Sequence, residues 1–203
     1  MKYQTVFFDF DGVLSQGYFY SGLKKDHPLA YNFIEEFVFG AASGVADKWM
    51  RGQLSLGQVN ELVAKNTGLD VSLLENHLQE SIARFRIEKR LLDLAKKIQQ
   101  NSVKVALVTN NADAFNLITI KQHGLDNIFP VIINSCDYGC LKHENNGYLF
   151  DVAMQRLGKN SFDGSLLIDD SAKARQTFKQ KGGQVFAFTT YENFEPWAKE
   201  NLV

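Results

Sequence analysis

Short apolar runs alternate with segments of helical periodicity along most of this chain. The apolar runs lie at residues 3–8, 103–108, 131–133, 165–168 and 185–188. Runs this short and continuous predict strands that are buried on both faces, as in a parallel sheet. The segments with apolar residues three and four positions apart lie at residues 88–100, 112–123, 144–157, 172–181 and 193–203. Strands that alternate with helices predict an α/β fold, with a Rossmann-like parallel sheet between two layers of helices.

The strand pattern is interrupted between the first and the second apolar run. Aromatic residues between glycines at residues 15–22 predict a tight turn and a short flap or hairpin. Helical periods follow at residues 29–37, 41–50, 56–67 and 73–82. Ser55 and Gly68 are typical of the start and the end of a helix. We therefore predict a helical insertion at residues 16–84, placed between the first strand and the rest of the sheet.

The composition is that of an ordinary globular protein. Of the 203 residues, 45% are hydrophobic and 22% are charged, and the length allows one domain or a domain with an inserted module. The formal net charge of −1 argues against a broad basic surface for nucleic acid. No apolar stretch is long enough for a membrane span, and the N-terminus leads into a predicted strand instead of a signal peptide. We expect a cytoplasmic protein with no nucleic-acid or membrane partner, and the oligomeric state stays open.

The two cysteines, Cys136 and Cys140, are four positions apart. Without a second pair of ligands this spacing is a poor signal for zinc, although His143 is close in sequence. We predict two reduced thiols without a functional role, and a disulfide or a metal is the alternative.

Four of the predicted strands lead into side chains that can bind a ligand. These side chains are Asp9 and Asp11 after the first strand, Thr109 and Asn110 after the second, Lys142 in the loop after the third, and Asp169 and Asp170 after the fourth. Open α/β sheets bind ligands at the carboxyl ends of their strands, so we expect one shared site. Asp9 and Asp11 share a face if both lie on a strand, and two close carboxylates repel unless a cation or a proton lies between them. Mg²⁺, which takes oxygen ligands, is the simplest such cation.

Each of these residues also has a purely structural interpretation. The Asp-x-Asp-Gly sequence at residues 9–12 is compatible with a solvated turn, and Thr109 with a helix N-cap. Lys142 is compatible with a solvated loop, and Asp169 and Asp170 with a favourable position at the start of a helix. Because the candidates follow successive strands in order, we prefer the single site.

Four ordered motifs carry a resemblance to a known family. They are Asp9-Phe10-Asp11-Gly12-Val13-Leu14, Val108-Thr109-Asn110, Gly139-Cys140-Leu141-Lys142 and Ile168-Asp169-Asp170-Ser171. Over essentially the whole chain, this pattern resembles the haloacid dehalogenase-like hydrolases. The insertion directly after the first motif is similar in position to the helical cap of the first subclass. The resemblance therefore implies a cap domain at residues 16–84 and a Rossmann-like catalytic core domain at residues 1–15 and 85–203.

The resemblance implies that the four aspartates are the reactive and metal-binding groups. Asp9 is the implied nucleophile, which gives an aspartyl phosphate, and Asp11 is the implied general acid and base. The implied Mg²⁺ ligands are the carboxylate of Asp9, the backbone carbonyl of Asp11 and Asp170. Asp169 is expected close to the ion or acting through water.

The other motif residues are implied to hold the phosphate. Thr109 Oγ1 and the amide of Asn110 are the implied donors to phosphate oxygens, and Lys142 is the implied partner of both Asp9 and the phosphate. One departure from the family pattern is His143, which follows Lys142 where proline is common. Proline at this position would stiffen the loop.

The implied activity is the Mg²⁺-dependent hydrolysis of a small phosphorylated metabolite. Family members that act on haloacids resemble the phosphatases but lack an acid two residues after the nucleophile, whereas this chain has Asp11. Two alternatives stay open. One is a phosphomutase that acts on a sugar phosphate, similar to β-phosphoglucomutase, and the other is a catalytically silent member that binds a metabolite or a protein partner.

The insertion contains residues that are candidates for contact with the leaving group of the substrate. They are Tyr18, Tyr20, Lys24, Lys25, Lys48, Trp49 and Arg51. An indole and two cations lie together at residues 48–51, which suits an anionic or a sugar substrate. The alternative is that Trp49 belongs to the core of the insertion and that the cations are solvated.

Overall fold

A five-stranded parallel sheet forms the centre of the computed structural model, which describes residues 2–202. In chain order the strands are β1 Thr5–Phe8, β2 Ser15–Gln16, β3 Arg86–Ile87, β4 Lys104–Thr109, β5 Val131–Asn134, β6 Ser165–Asp169 and β7 Gln184–Ala187. The order in the large sheet is β5-β4-β1-β6-β7, and every neighbouring pair is parallel. The first strand of the chain is therefore the central strand. The predicted α/β, Rossmann-like fold is confirmed.

Helices connect the strands and fill the insertion. In chain order they are α1 Leu23–Asp26, α2 Pro28–Phe33, α3 Val45–Met50, α4 Leu56–Thr67, α5 Val71–Ala83, α6 Lys89–Gln100, α7 Ile120–Gln122, α8 Tyr148–Arg156, α9 Ala172–Gln180 and α10 Tyr191–Asn201. A π-helical turn at Ile34–Val38 continues α2, and another at Phe115–Thr119 leads into α7. Among residues 2–202, no helix has the length and apolar composition that a membrane span requires.

The two faces of the sheet are covered by separate apolar clusters. Side chains alternate along a strand, so Val6 and Phe8 of β1 pack on one face and Phe7 packs on the other. The first face is covered by α6 and α10, and the second by α8 and α9. This burial of both faces explains why the strands are continuous apolar runs.

The helical insertion has an apolar cluster of its own. Trp49, Val59, Leu78 and Ile82 are buried in this cluster, together with other residues of α1 to α5. Ala112, from the segment after β4, also packs into it. At the start of the insertion, β2 pairs antiparallel with β3, which lies about 70 residues later in the chain. Residues 15–22 contain the expected turn, at residues 19–22, but they do not form a hairpin. The assignment of residues 16–84 to a separate domain stays a prediction.

Two predicted helices begin later than expected because of left-handed residues. The helix expected at residues 41–50 begins at Val45, directly after Gly44, whose φ is +69°. The helix expected at residues 144–157 begins at Tyr148, because Asn145, Asn146 and Gly147 have φ values of +48°, +54° and +76°. A right-handed helix cannot include residues in this region of φ. Periodicity alone does not reveal such residues.

The cysteines carry no bond between them. Cys136 and Cys140 are free thiols, as predicted from their spacing. Burial raises the pKa of the Cys136 thiol to about 12, and the neighbouring Asp137 contributes to this rise. This environment favours the thiol of Cys136 over the thiolate, which is the reactive form.

Candidate active site

The loop after β5 brings Lys142 between two carboxylates at the edge of the sheet. Lys142 Nζ lies 2.5 Å from Asp9 Oδ2 and 2.7 Å from Asp169 Oδ2. Lys142 is only 1% exposed, and both aspartates are buried. Burial disfavours the ammonium of Lys142, but the two carboxylates outweigh burial and raise its pKa. The predicted contact of Lys142 with Asp9 is therefore present.

Three aspartates form a cluster that fits a hard divalent cation. Asp9, Asp169 and Asp170 each offer a carboxylate oxygen within 4.8 Å of the others. Both oxygens of Asp169 are already engaged, one by Lys142 and one by the N–H of Ser171 at 2.7 Å. Asp170 is exposed and makes no ion pair with any residue among 2–202. The oxygens of Asp9 are engaged as well, one by Lys142 and one by the N–H of Phe10 at 2.8 Å, so Asp170 is the carboxylate of this cluster most open to Mg²⁺.

Gly12 leaves room for the carboxylate of Asp170. Its φ is +75°, and a Cβ atom at this position would collide with the Asp170 carboxylate. Glycine satisfies both requirements, because it lacks a Cβ and adopts positive φ without strain. The glycine of the first motif therefore helps to shape the cluster.

Asp11 lies apart from this cluster and is held by a residue to which the sequence analysis gave no role. Asn111 Nδ2 donates to Asp11 Oδ2 at 2.8 Å. The backbone N–H of Asn111 donates to Asn134 Oδ1 and Ser135 Oγ, both at 3.0 Å, so the end of β5 fixes Asn111. The available signal was the position of Asn111 two residues after Thr109, at the same strand exit.

Asp9 and Asp11 do not share a strand face, so this prediction is wrong. β1 ends at Phe8, and the backbone turns after Asp9. The N–H of Gly12 donates to the carbonyl of Ser15, and Asp11 forms a bridge with Ser15. A turn, and not the period of a strand, therefore directs the side chain of Asp11.

Burial raises the pKa of both acids in the first motif. Burial raises the pKa of Asp9 and outweighs the opposing effect of Lys142. The pKa of Asp11 rises to about 6, again because of burial, while the hydrogen bond from Asn111 opposes this rise. The carboxyl group of Asp11 is therefore more easily protonated in this environment than it would be in water.

Thr109 and Asn110 lie at the end of β4, next to β1. Thr109 is buried as the last residue of β4, and its Oγ1 lies 3.4 Å from Asn111 Nδ2. Asn110 Oδ1 accepts the N–H of Lys142 at 2.8 Å. The side chain of Asn110 therefore ties the second motif to the third.

Hydrogen bonds hold the Lys142 loop in place of the missing proline. The N–H of Lys142 donates to Asn110 Oδ1, and the N–H of Leu141 donates to Glu144 Oε2 at 2.9 Å. His143 is half-buried in this loop. The hydrogen bonds of the Leu141 and Lys142 N–H groups therefore restrict this loop. The loop does not need a proline after Lys142 to be held in place.

The helical insertion is attached to the loops that carry the site. Trp49 Nε1 donates to Asp113 Oδ1 at 2.6 Å, and the N–H of Leu56 donates to Asp113 Oδ2 at 2.9 Å. The guanidinium of Arg51 donates to both carboxylate oxygens of Glu144. Asp113 follows the second motif and Glu144 follows Lys142, and neither residue is among the predicted site residues.

A cavity of about 410 Å³ lies beside Asp11 and under the insertion. Of the candidate substrate contacts in the insertion, Tyr18 and Trp49 line this cavity. Tyr20 is buried, and its hydroxyl donates to Asn60 Oδ1 at 2.5 Å. Among the described residues that line the cavity there is no lysine and no arginine. Lys24, Lys25, Lys48 and Arg51 do not line this cavity, and Trp49 belongs to the core of the insertion, as in the alternative interpretation.

Comparison with known proteins identifies relatives of this chain. The sequence model of the haloacid dehalogenase-like hydrolases matches residues 3–182. A Porphyromonas gingivalis protein described as a predicted HAD-like family hydrolase superposes with a TM-score of 0.76 at 18% identity, covering 98% of both chains. No curated protein matches the chain.

Two further solved structures carry more specific descriptions. A HAD family enzyme from Bacteroides thetaiotaomicron, in complex with magnesium and inorganic phosphate, has a TM-score of 0.72 at 15% identity and covers 95% of this chain and 98% of its own. The L-2-haloacid dehalogenase from Xanthobacter autotrophicus has a TM-score of 0.61 at 16% identity and covers 90% of this chain and 76% of its own. At these identities the likeness shows the shared fold.

Proposed function

Because this chain belongs to the haloacid dehalogenase-like hydrolases, we propose that it is a Mg²⁺-dependent phosphatase that hydrolyses a small phosphomonoester. One observation carries the proposal. Asp9 lies against Lys142 and within one carboxylate cluster, while Asp11 is held separately by Asn111. This arrangement supplies a nucleophile and an acid that are kept apart, which phosphoryl transfer to a side chain requires.

In the first step, a carboxylate oxygen of Asp9 attacks phosphorus. A bond forms between this oxygen and phosphorus, the bond from phosphorus to the leaving oxygen breaks, and Asp11 gives its proton to the leaving oxygen. In the second step, water attacks the aspartyl phosphate while Asp11 takes a proton from that water. Inorganic phosphate leaves, and the carboxylate of Asp9 is restored.

Lys142, Thr109 and Asn110 stabilise the negative charge of the phosphate. The ammonium of Lys142 already lies at Asp9, so a phosphate beside Asp9 also lies beside this cation. The hydroxyl of Thr109 and the backbone amide of Asn110 are donors at the adjacent strand exit.

Asp9, the backbone carbonyl of Asp11 and Asp170 would hold Mg²⁺, with Asp169 close to it or acting through water. When bound, the ion neutralises the repulsion between the carboxylate of Asp9 and the phosphate. The carboxylate cluster and the bound magnesium of the Bacteroides enzyme support this assignment.

Asp11 favours phosphate transfer over dehalogenation. A dehalogenase forms an ester with a carbon atom and has no leaving alcohol that needs a proton, so an acid beside the nucleophile serves the phosphatase. The phosphomutase is the second candidate, because the same residues can return the phosphoryl group to a sugar. Residues 16–84 would act as a cap that covers the site in either reaction.

The test is release of inorganic phosphate from 4-nitrophenyl phosphate with Mg²⁺. The intact protein is expected to hydrolyse this ester. Asp9→Asn is expected to lower kcat by at least about 1,000-fold because the nucleophile is lost. Asp163→Asn, at an exposed aspartate, is the matched control with unchanged kcat. Halide release from a 2-haloacid without phosphate release would refute the phosphatase. Isomerisation of a sugar phosphate without release of phosphate would favour the phosphomutase.

A further inference from the structure

The cavity beside Asp11 is where the alcohol part of a phosphomonoester would lie. Asp11, Asn110 and Asn111 line it from the strand exits. The opposite wall is formed by residues of the insertion and by Phe85. Because Asp11 is the proposed donor to the leaving oxygen, a leaving group next to Asp11 must occupy this space.

Four aromatic rings form a continuous apolar wall in this cavity. The centroid of the Phe19 ring lies 5.8 Å from the ring centroid of Phe85, 5.9 Å from that of Trp49 and 6.3 Å from that of Phe39. Phe39 and Trp49 stack on each other at 6.4 Å. Rings at these distances give a preformed surface for a flat or apolar group. Phe39 is 37% exposed, so part of the wall faces solvent.

The charge at the cavity is negative only. Among the described lining residues, the charged side chains are Asp11 and Glu35, and Glu35 makes no ion pair with any residue among 2–202. The ammonium of Lys142 is buried between Asp9 and Asp169, and Lys142 does not line this cavity. Asp11 carries its proton when the leaving group is bound, so an anionic leaving group would meet the carboxylate of Glu35 without a counter-charge.

The lining of this cavity is mostly apolar, and apart from Asp11 its polar side chains are Tyr18, Glu35, Asn110 and Asn111. The side chain of Asn110 accepts from the backbone of Lys142, and that of Asn111 donates to Asp11. Sugar hydroxyls buried against aromatic rings without partners would lose hydrogen bonds with water.

We propose that the preferred substrate is the phosphomonoester of an apolar or aromatic alcohol without negative charge, and that a cationic substituent is favoured by Glu35 and the rings. This inference rests on the proposed phosphatase activity and specifies its substrate class. Aromatic faces attract cations, and an acid among them adds to this attraction.

The experiment compares kcat/KM for matched phosphate esters, with Mg²⁺ present. The first series is phenyl phosphate with a methyl, an aminomethyl or a carboxylate group in the para position. The carboxylate compound is expected to be at least about tenfold poorer than the methyl compound, and the aminomethyl compound at least equal to it. The second comparison is benzyl phosphate against glucose 6-phosphate, both esters of primary alcohols, with benzyl phosphate preferred by at least about tenfold.

Two pairs of neighbouring variants localise the effect. Glu35→Gln is expected to lower the preference for aminomethyl over carboxylate, whereas Glu36→Gln, at an exposed residue of the same helical turn, keeps it. Phe39→Ala is expected to reduce the preference for benzyl phosphate, whereas Phe37→Ala keeps it because Phe37 is outside the cavity wall.

The outcomes separate this inference from the function on which it rests. If the protein releases phosphate but prefers the carboxylate compound or glucose 6-phosphate, the proposed substrate class is wrong. The proposed phosphatase activity is then still supported. Equal effects of Glu35→Gln and Glu36→Gln would also overturn it. No phosphate from any of the esters would overturn the phosphatase itself, and the substrate class with it.

Discussion

Lys142 is the residue whose surroundings depend most strongly on charge. It is buried, and its ammonium contacts Asp9 and Asp169. A buried pair of this kind adds little net stability relative to an apolar core, but removal of one partner leaves an uncompensated charge. Here removal of the cation would leave two carboxylates facing each other.

Lys142→Met is expected to lower the free energy of unfolding by about 3 kcal/mol without Mg²⁺, because two buried carboxylates lose their counter-charge. Urea denaturation measures the change. Lys48→Met, at an exposed lysine of α3, is the control and should change stability little. The double variant Lys142→Met with Asp169→Asn should recover part of the loss, and a stable Lys142→Met protein would contradict this account.

Asn111 positions Asp11, so its removal should affect the reaction more than binding. Asn111→Ala is expected to lower kcat by about 10- to 100-fold with a smaller change in KM, as for other residues that orient a reactive group. Steady-state kinetics with 4-nitrophenyl phosphate measure this split. Asn76→Ala, on the exposed side of α5, is the control. An unchanged kcat would show that Asp11 is oriented without Asn111.

At the scale of elements, α3 connects the insertion to two of the loops that form the site. Trp49 at its end contacts Asp113, which follows the strand β4. Arg51, directly after α3, pairs with Glu144 in the loop that carries Lys142. A displacement of α3 would therefore disturb the residues next to both strand exits.

Glu144→Gln should destabilise the protein in a pH-dependent way. Arg51 lowers the pKa of Glu144 from 4.5 to about 2, so ionised Glu144 stabilises the fold above pH 4.5. This contribution is lost as the pH falls from 4.5 towards 2. For a partly exposed pair we expect about 1 kcal/mol at pH 7.

Urea denaturation of the wild type and of Glu144→Gln between pH 7 and pH 3 measures this effect. The difference between the two proteins should be largest at neutral pH and should narrow below pH 4.5. Glu80→Gln breaks the exposed pair with Arg84 and should have a smaller effect at every pH. A difference that grows on acidification would be inconsistent with the Arg51 contact.

At the scale of the whole molecule, the site lies where three parts of the chain meet. Asp9 follows β1 directly, Asp169 is the last residue of β6, and the insertion covers the cavity next to Asp11. The apolar clusters on the two faces of the sheet differ from the apolar cluster of the insertion. The site is thus built on a rigid edge and covered by a separate group of helices.

Mg²⁺ is expected to stabilise the folded protein. At a concentration of 100 times the Kd, a ligand that binds only the folded state adds about 2.7 kcal/mol to the free energy of unfolding. Thermal denaturation with and without Mg²⁺ measures the shift in Tm. Asp170→Asn should abolish this shift in Tm, and Asp163→Asn should retain it. If Mg²⁺ did not change the Tm of the wild-type protein, this result would argue against the metal site.

The order of strands and helices, and the exits that carry Asp9, Thr109, Lys142 and Asp169, could be predicted from the sequence. Continuous apolar runs require a buried sheet, and a parallel sheet places the ends of its strands at one edge. The helix starts at Val45 and Tyr148 could not be predicted, because left-handed residues before them do not disturb the apolar period.

The sequence by itself thus determined the fold class and the residues that converge, since both follow from local periodicity and from the topology of a parallel sheet. Only the tertiary structure decided what each side chain contacts. Asn111 beside Asp11, Glu144 beside Arg51 and Glu35 at an aromatic cavity depend on turns and on helix packing between distant segments. Contacts of this kind join residues whose spacing in the chain carries no period, so the pattern of hydrophobic and polar positions does not encode them.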